Sequence, residues 1–209
     1  MTPFCRLATP ADQMKLPHRY LASAIIAASA CLTLLPLSSN AAITINISEV
    51  GPDVVAIATG SVNTSALSFQ VSVPANASMV PSSAVFLVGP ASTTSVSWYS
   101  GASGPTTLGN GSSVINASFG SGDSIGVLGF ATIILPTTLK SDYAGSSTWA
   151  GTTLAQLGLN EGTYTWNWGA GANADSLTIN VTSIPEPSTL ALAGLACGGF
   201  SMWRRRKRA

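Results

Sequence analysis

Ile43-Thr44-Ile45-Asn46-Ile47-Ser48 decides the fold, because an isoleucine alternates with a polar residue along its whole length. Residues 176–181 repeat this alternation, and residues 67–73 show it between the two. Successive side chains of a β-strand point to opposite faces, so a period of two predicts strands with one buried face. We therefore expect a protein built from half-buried strands rather than from helices.

Six further stretches also predict strands, and clusters of Gly, Pro, Asn and Ser separate them. They are residues 54–57, 84–88, 95–99, 114–118, 124–135 and 163–168. About nine short strands with turns between them predict an all-β fold, an antiparallel β-sandwich or jelly roll. Only residues 148–159 suggest a helix, and the Gly- and Ser-rich residues 101–113 suggest a long connection.

The first 41 residues have the pattern of a secretory signal peptide. Two cations precede an apolar stretch from Leu21 to Leu37, and Ser39-Asn40-Ala41 then places small residues at both recognition positions of a signal peptidase. We expect cleavage after Ala41, with cleavage after Ala42 as the second choice. Met14 opens a normal n-region and is an alternative start of the chain.

The C-terminal residues combine a rigid breaker, an apolar run and a cationic end. Pro185-Glu186-Pro187 precedes an apolar run from Ser188 to Trp203. Five consecutive cations follow: Arg204, Arg205, Arg206, Lys207 and Arg208. A helix of about 16 residues rises roughly 24 Å, which approaches the ~30 Å hydrocarbon core of a bilayer. Because clustered cations stay on the cytoplasmic side, we predict a transmembrane helix that anchors a precursor with its preceding residues outside the cytoplasm.

These three features resemble the PEP-CTERM sorting signal of exported proteins from Gram-negative and related bacteria. The tripeptide Pro185-Glu186-Pro187 carries the resemblance, together with the short apolar run and the basic end. The resemblance implies processing by a membrane protease-transpeptidase called exosortase. It also implies a final location at the cell surface or in an extracellular polysaccharide or biofilm matrix.

Removal of both signals leaves a predicted exported domain of residues 42–183, between the signal region 1–41 and the sorting segment 184–209. All three cysteines and the single histidine, His18, lie in the two signals. The domain therefore cannot form a disulfide, a Ser-His-Asp triad or a zinc site with His or Cys ligands. It carries one lysine and six carboxylates, a formal net charge of −5. This acidity disfavours nucleic-acid binding.

Carboxylates are one chemical resource left in the domain. Most of them stand beside Gly, Ser or Asn, which favours solvated turn residues over a catalytic pair for glycoside hydrolysis. Calcium is the cofactor that oxygen ligands in loops would suit, and Asp123 and Asp175 are the candidate ligands, although no dense Asp-x-Asp loop is present. We therefore predict no catalytic residues, no metal site and no enzyme activity.

Aromatic side chains are the other resource. Tyr164, Trp166 and Trp168 lie on one face of a predicted strand, where they could form a core stripe or a platform for sugar rings. We favour the core stripe, because aromatic rings contribute strongly to sandwich cores. The candidates for sugar contact border loops and are expected to reach solvent more readily: Trp98, Tyr99 and Trp149.

The sequence thus favours an exported, non-enzymatic β-sandwich with a structural or adhesive role in an exopolysaccharide matrix. A carbohydrate-binding module is the alternative, and it would need an exposed aromatic row. A glycan-active enzyme would need two carboxylates that face one another in a cleft. Ice binding would need regular, flat arrays of threonine, which the scattered threonines of this chain do not form.

Overall fold

The computed structural model describes residues 42–183. These residues form two β-sheets and one short α-helix, which confirms the prediction of an all-β domain. The predicted signal region 1–41 and the sorting segment 184–209, with its predicted transmembrane helix, lie outside the described residues. Within residues 42–183, no helix has the length and apolar character needed to cross a bilayer.

The strands are short, and turns or brief loops join most of them. They are β1 (Ala42–Val50), β2 (Asp53–Gly60), β3 (Ser68–Ala75), β4 (Ser78–Val80), β5 (Val85–Val88), β6 (Thr94–Ser100), β7 (Ile115–Asn116), β8 (Phe119–Gly122), β9 (Ile125–Leu128), β10 (Thr132–Pro136), β11 (Tyr143–Trp149), β12 (Gly162–Trp168) and β13 (Asp175–Thr182). The helix α1 spans Leu154–Leu157.

The first sheet has the strand order β12-β13-β1-β2-β11-β8. Within this sheet, β1 and β13 pair in parallel, with Ile45 opposite Ile179. The other pairs described in this sheet are antiparallel, as predicted. A parallel pair cannot be closed by a tight hairpin, so β1 and β13 meet only after the intervening chain has crossed between the sheets.

The second sheet has the strand order β3-β6-β10-β9-β5-β4-β7, and its described pairs are antiparallel. Residues 124–135, predicted as one strand, instead form β9 and β10 with a turn between them. Gly129 in this turn has a φ of +66°, a left-handed conformation that glycine adopts without a steric penalty. One apolar run therefore supplies two adjacent strands.

The hydrophobic core lies between the two sheets. Ile43, Ile45 and Ile47 of β1 are completely buried, as their alternation predicts. The second sheet contributes inward-facing residues from β5, β9 and β10: Phe86, Val88, Ile125, Val127, Ile133 and Leu135. Burial of these apolar surfaces is the main favourable contribution to folding.

The sequence pattern does not predict strand β11, because Gly145 and Ser147 interrupt the apolar character of its inward face between Tyr143 and Trp149. Ser147 on that face is completely buried. The Gly89 N–H donates a hydrogen bond to Ser147 Oγ at 2.9 Å, and this hydroxyl donates to Gly89 O, also at 2.9 Å. Gly89 follows β5 of the second sheet, so a single hydroxyl connects the two sheets through a buried pair of hydrogen bonds.

Strand β3 differs from the expectation that its alternating apolar residues share one buried face. Phe69 lies opposite Tyr99 of β6, whereas Val71 lies opposite Trp98. Because neighbouring residues of β6 face opposite ways, a bulge at Gln70 turns Phe69 and Val71 to opposite faces. Phe69 is 58% exposed and Val71 is 42% exposed. The strand is confirmed but the common buried face is wrong, because β3 is an edge strand and a bulge interrupts its period.

Residues 101–113 form the long connection that the sequence predicts, and they pack against the first sheet. Ser103 and Asn167 of β12 exchange two backbone hydrogen bonds of 2.9 Å. Gly104 lies on the ring of Trp166, so closely that a Cβ atom at this position would come within 2.4 Å of the indole. This connection therefore covers the outer edge of β12.

Helix α1 occupies part of the predicted helical stretch 148–159, whose first two residues belong instead to β11. Thr153 and Gln156 form a capping box, in which each side chain accepts a hydrogen bond from the backbone N–H of the other residue. Gly158 ends the helix with a φ of +70°. The helix is a single turn that closes the connection between β11 and β12.

Candidate functional site

The aromatic row on β12 is part of the core. Trp166 and Trp168 are buried and Tyr164 is half-buried, which confirms the prediction of a core stripe. Trp166 Nε1 donates to Gly129 O, and Trp168 Nε1 donates to Asn63 O, both at 2.9 Å. Burial raises the pKa of the Tyr164 phenol. These rings therefore hold loops of the domain in place and present no row to a sugar.

Tyr99 and Trp149, two of the three candidates for sugar contact, are also buried. Trp149 is 2% exposed, and its ring lies 5.7 Å from that of Phe86. Tyr99 packs edge-on against Phe69, with 5.9 Å between the ring centres. The expectation that these two residues reach solvent more readily than the β12 row is wrong, because both lie on the inward faces of their strands. Proximity to a loop in the sequence does not decide which way a strand residue points.

Trp98, the third candidate, lies on the opposite face of the second sheet. It is half-buried and packs against a small cluster formed by Leu87, Val96 and Ile134. Its Nε1 atom is buried and has no hydrogen-bond partner in the described structure. A buried donor without an acceptor is costly, which distinguishes Trp98 from the three partnered tryptophans of the first sheet. Sugar contact by Trp98 stays a prediction.

Glu49 and Asp53 stand at the two ends of the turn between β1 and β2, and both hold the connection after β11. Leu154 N–H donates to Glu49 Oε1 at 2.7 Å, and Gly151 N–H donates to Asp53 Oδ1 at 2.8 Å. Leu154 is the first residue of α1, where backbone N–H groups lack partners within the helix. These carboxylates therefore fasten a loop to the first sheet.

Asp175 is the most deeply buried carboxylate described, with 5% of its surface exposed. Its two oxygens accept backbone hydrogen bonds of 2.6 Å from Asn63 and Ser176. Burial raises the pKa of Asp175 above its usual 3.8, and the two N–H donors partly oppose this increase. Because Asn63 also accepts from Trp168, Asp175 anchors the loop between β2 and β3 to the first sheet.

Asp123 lies between β8 and β9 and contacts the connection that leads into β11. It forms an ion pair with Lys140 and accepts a hydrogen bond of 3.1 Å from Ala144 N–H. Among residues 42–183, no cluster of three or more His, Cys, Asp or Glu residues has the geometry of a metal site. The two calcium candidates, Asp123 and Asp175, are each engaged with separate backbone segments and do not form a common site.

Charged side chains are unevenly distributed between the two sheets. Strands of the first sheet carry Glu49, Asp53 and Asp175, while the seven strands of the second sheet contain no Asp, Glu, Lys, Arg or His. The sequence shows part of this feature, because residues 54–122, which include five strands of the second sheet, lack all five of these residue types. The second sheet is therefore uncharged along all of its strands.

The second sheet has an apolar outer face, defined here by Leu87, Val96, Trp98 and Ile134 together with Val71 and Val73 of β3. Ile134 alternates with the core residues Ile133 and Leu135, so it points away from the space between the sheets. Val71 stands opposite Trp98 and therefore extends this face to the edge of the sheet. The outer face ends at an exposed apolar residue rather than at a charged one.

The first sheet has a shallow groove of about 360 Å³ on its outer side. Small residues of β8 and β11 form most of it: Ser121, Gly122, Ala144, Gly145 and Ser146. Ile57 borders the groove and is 51% exposed. The groove contains no charged side chain and exists because glycine and alanine leave space beside Ile57.

Comparison with known proteins identifies the C-terminal segment. Residues 183–207 match a family model described as the PEP-CTERM protein-sorting motif. This match agrees with the resemblance carried by Pro185, Glu186 and Pro187, and it indicates an exported protein that an exosortase-type enzyme processes. No curated protein and no solved structure matches the chain at a significant level.

Proposed function

We propose that this protein is a non-enzymatic structural or adhesive component of the cell surface or the extracellular polysaccharide matrix. The match of residues 183–207 to the sorting motif carries this proposal, because the motif indicates export and processing. The basic end, from Arg204 to Arg208, would be removed with the tail. In this proposal the precursor is anchored in the membrane, and the processed form consists of the exported domain without the anchor.

The environment of the carboxylates supports a non-enzymatic role. Glu49, Asp53, Asp123 and Asp175 each accept at least one backbone hydrogen bond from another segment of the domain. A carboxylate that acts on a glycan must instead face its substrate and a second carboxyl group across a cleft. These four residues therefore contribute to the shape of the domain.

The burial of the β12 row supports a structural role over that of a carbohydrate-binding module. A module of that kind stacks sugar rings on exposed aromatic side chains, whereas Trp166 and Trp168 are covered. Polysaccharide contact, if it occurs, would use hydroxyl groups and small apolar patches on the strands. Such contacts are individually weak and suit a protein that is present in many copies in a matrix.

A deletion strain complemented with the wild-type gene tests the proposed role. We expect loss of the protein to weaken matrix cohesion and cell attachment, while the chain length of the secreted polysaccharide stays the same. The matched variant ends after Ser183, so that it keeps the domain and lacks the sorting segment. We expect this variant to be exported without being retained in the matrix.

Further measurements test the class of function and the processing of the tail. Size-exclusion chromatography of the polysaccharide would show altered chain lengths if the protein were a glycan-active enzyme, and that result would contradict the proposal. Intact-mass analysis of the matrix-bound protein should show that Arg204 to Arg208 are missing. Unchanged matrix cohesion in the deletion strain would exclude the structural role.

A further inference from the structure

Strand β3 has an open edge that no other described strand covers. It pairs only with β6 among residues 42–183, so the opposite side of its backbone has no neighbouring strand. It is eight residues long, and its exposed side chains include Phe69 and Val71. A long, uncharged and apolar edge strand is a template for pairing with another strand.

The other sheet edges are protected in ways that β3 is not. At the second edge of the same sheet, β7 has only two residues. In the first sheet, β8 has four residues and includes Gly120 and Gly122. Strand β12 is longer, but residues 101–113 cover it through the paired hydrogen bonds of Ser103 and Asn167. Short length and loop cover are common means of protecting an edge.

We infer that the β3 edge binds the β3 edge of a second copy of this chain. An antiparallel pairing centred near Ser72 would place Val71 of each copy opposite Val73 of the other. Both valines lie on the apolar outer face, so the pairing would extend that face across the two copies. The contact is self-complementary, as a two-fold interface requires.

Charge favours a second copy over other partners at this edge. The domain has a formal net charge of −5, but none of the charged residues lies on a strand of the second sheet. Two copies joined through β3 would bring their uncharged sheets together and keep their acidic sheets apart. A basic protein or peptide would instead be attracted to the first sheet and its loops.

The features of β3 also set the strength of the interaction. Pro74 lacks a backbone N–H, and the bulge at Gln70 interrupts the regular pairing. The interface is therefore a single short strand pair, smaller than the ~1,600 Å² of a standard stable complex. We expect weak, concentration-dependent association that becomes important where many copies are held close together.

The test uses the protein as the producing cells export it and compares it with two single variants. Val71→Lys introduces a charge at the edge of the second sheet. Ile57→Lys introduces the same charge at an exposed apolar residue of β2 in the first sheet. Any association caused by the C-terminal tail would be equal in all three proteins. Sedimentation velocity from about 10 μM to about 1 mM covers the range expected for a weak interface.

We expect the wild type and Ile57→Lys to dimerise alike, and Val71→Lys to dimerise at least about tenfold more weakly, because pairing would bury an unpaired lysine. Hydrogen exchange should slow at the amides of β3 as the wild-type concentration increases. Circular dichroism would verify that both variants are folded. A wild type that stays monomeric, or a dimer that Val71→Lys leaves intact, would overturn the inference. Self-association does not require polysaccharide, so it can hold even where the proposed matrix role fails.

Discussion

The two sheets satisfy their polar groups in different ways. In the first sheet, Trp149, Trp166 and Trp168 each donate their ring N–H to a backbone carbonyl, either in a loop or, for Trp149, in β7 of the second sheet. In the second sheet, Trp98 has a buried ring N–H without an acceptor. The first sheet also carries all of the charged residues that lie on strands, and these carboxylates bond to loops.

The difference shows that the two sheets contribute to the domain in different ways. Polar and aromatic residues of the first sheet hold the connections in place, so substitutions of these residues should lower the stability of the whole domain. The second sheet relies on apolar packing and leaves an apolar outer face and an open edge. Substitutions at the exposed edge, such as those of Val71, should therefore affect association more than folding, whereas Leu87, Val96 and Ile134 are buried in the cluster on the outer face.

The largest expected effect is that of Trp166→Ala in the first sheet. The ring is completely buried and bonds Gly129, so its removal should cost about 3–5 kcal/mol of unfolding free energy. Chemical denaturation monitored by circular dichroism measures this loss. Trp98→Ala is the matched substitution in the second sheet and should cost clearly less. Equal losses of unfolding free energy for the two variants would contradict this difference between the sheets.

Ser147→Ala tests the connection between the sheets. Removal of the hydroxyl leaves the buried N–H and C=O of Gly89 without their hydrogen bonds, which should cost about 1–3 kcal/mol. Ser146→Ala on the same strand is the control, because its hydroxyl faces the exposed Ser121. We expect the control to be nearly neutral in the same denaturation experiment.

Asp175→Asn tests how burial of a charge affects the first sheet, with a smaller expected effect. The folded state raises the pKa of Asp175, so it binds a proton more tightly than the unfolded state does. The stability contributed by this proton is full below the unfolded pKa and is lost as the pH rises through the folded pKa. The unfolding free energy of Asp175→Asn minus that of the wild type should therefore increase as the pH rises from about 4 to about 7. A difference that stays constant with pH would contradict the raised pKa.

Trp98→Phe is the smallest expected change. It removes the buried N–H that has no acceptor, and this gain should offset most of the lost ring volume, to within about 0.5 kcal/mol. Trp166→Phe removes a comparable volume and also leaves Gly129 O without its donor, so it should cost more. A larger loss at position 98 would show that its N–H does have a partner.

The sequence predicts those parts of the fold in which side-chain periodicity and burial agree. Ile43, Ile45 and Ile47 illustrate this, because their alternation matches complete burial. Strand β11 could not be found in this way, since Ser147 is buried for its hydrogen bonds and not for its apolar surface. The bulge at Gln70 was equally hidden, because a change of face leaves no mark in an alternating sequence.

The candidate sites show the same limit. The motif at residues 183–207 depends on consecutive residues and was recognised directly. Orientation of Tyr99 and Trp149 depends on how their strands sit in the sandwich, and the sequence gives no direct measure of that. The pairing of β1 with β13 joins segments more than a hundred residues apart, so local patterns cannot reveal it.

This parallel pair has a mechanical consequence. The chain enters the domain at Ala42, beside Ser176, and leaves it at Thr182, beside Ser48. The two ends therefore lie at opposite ends of one pair of strands. A pulling force between them would act along β1 and β13 and load their hydrogen bonds in shear, so that many must break together. We expect single-molecule stretching from these ends to require more force than peeling β12 from the sheet edge.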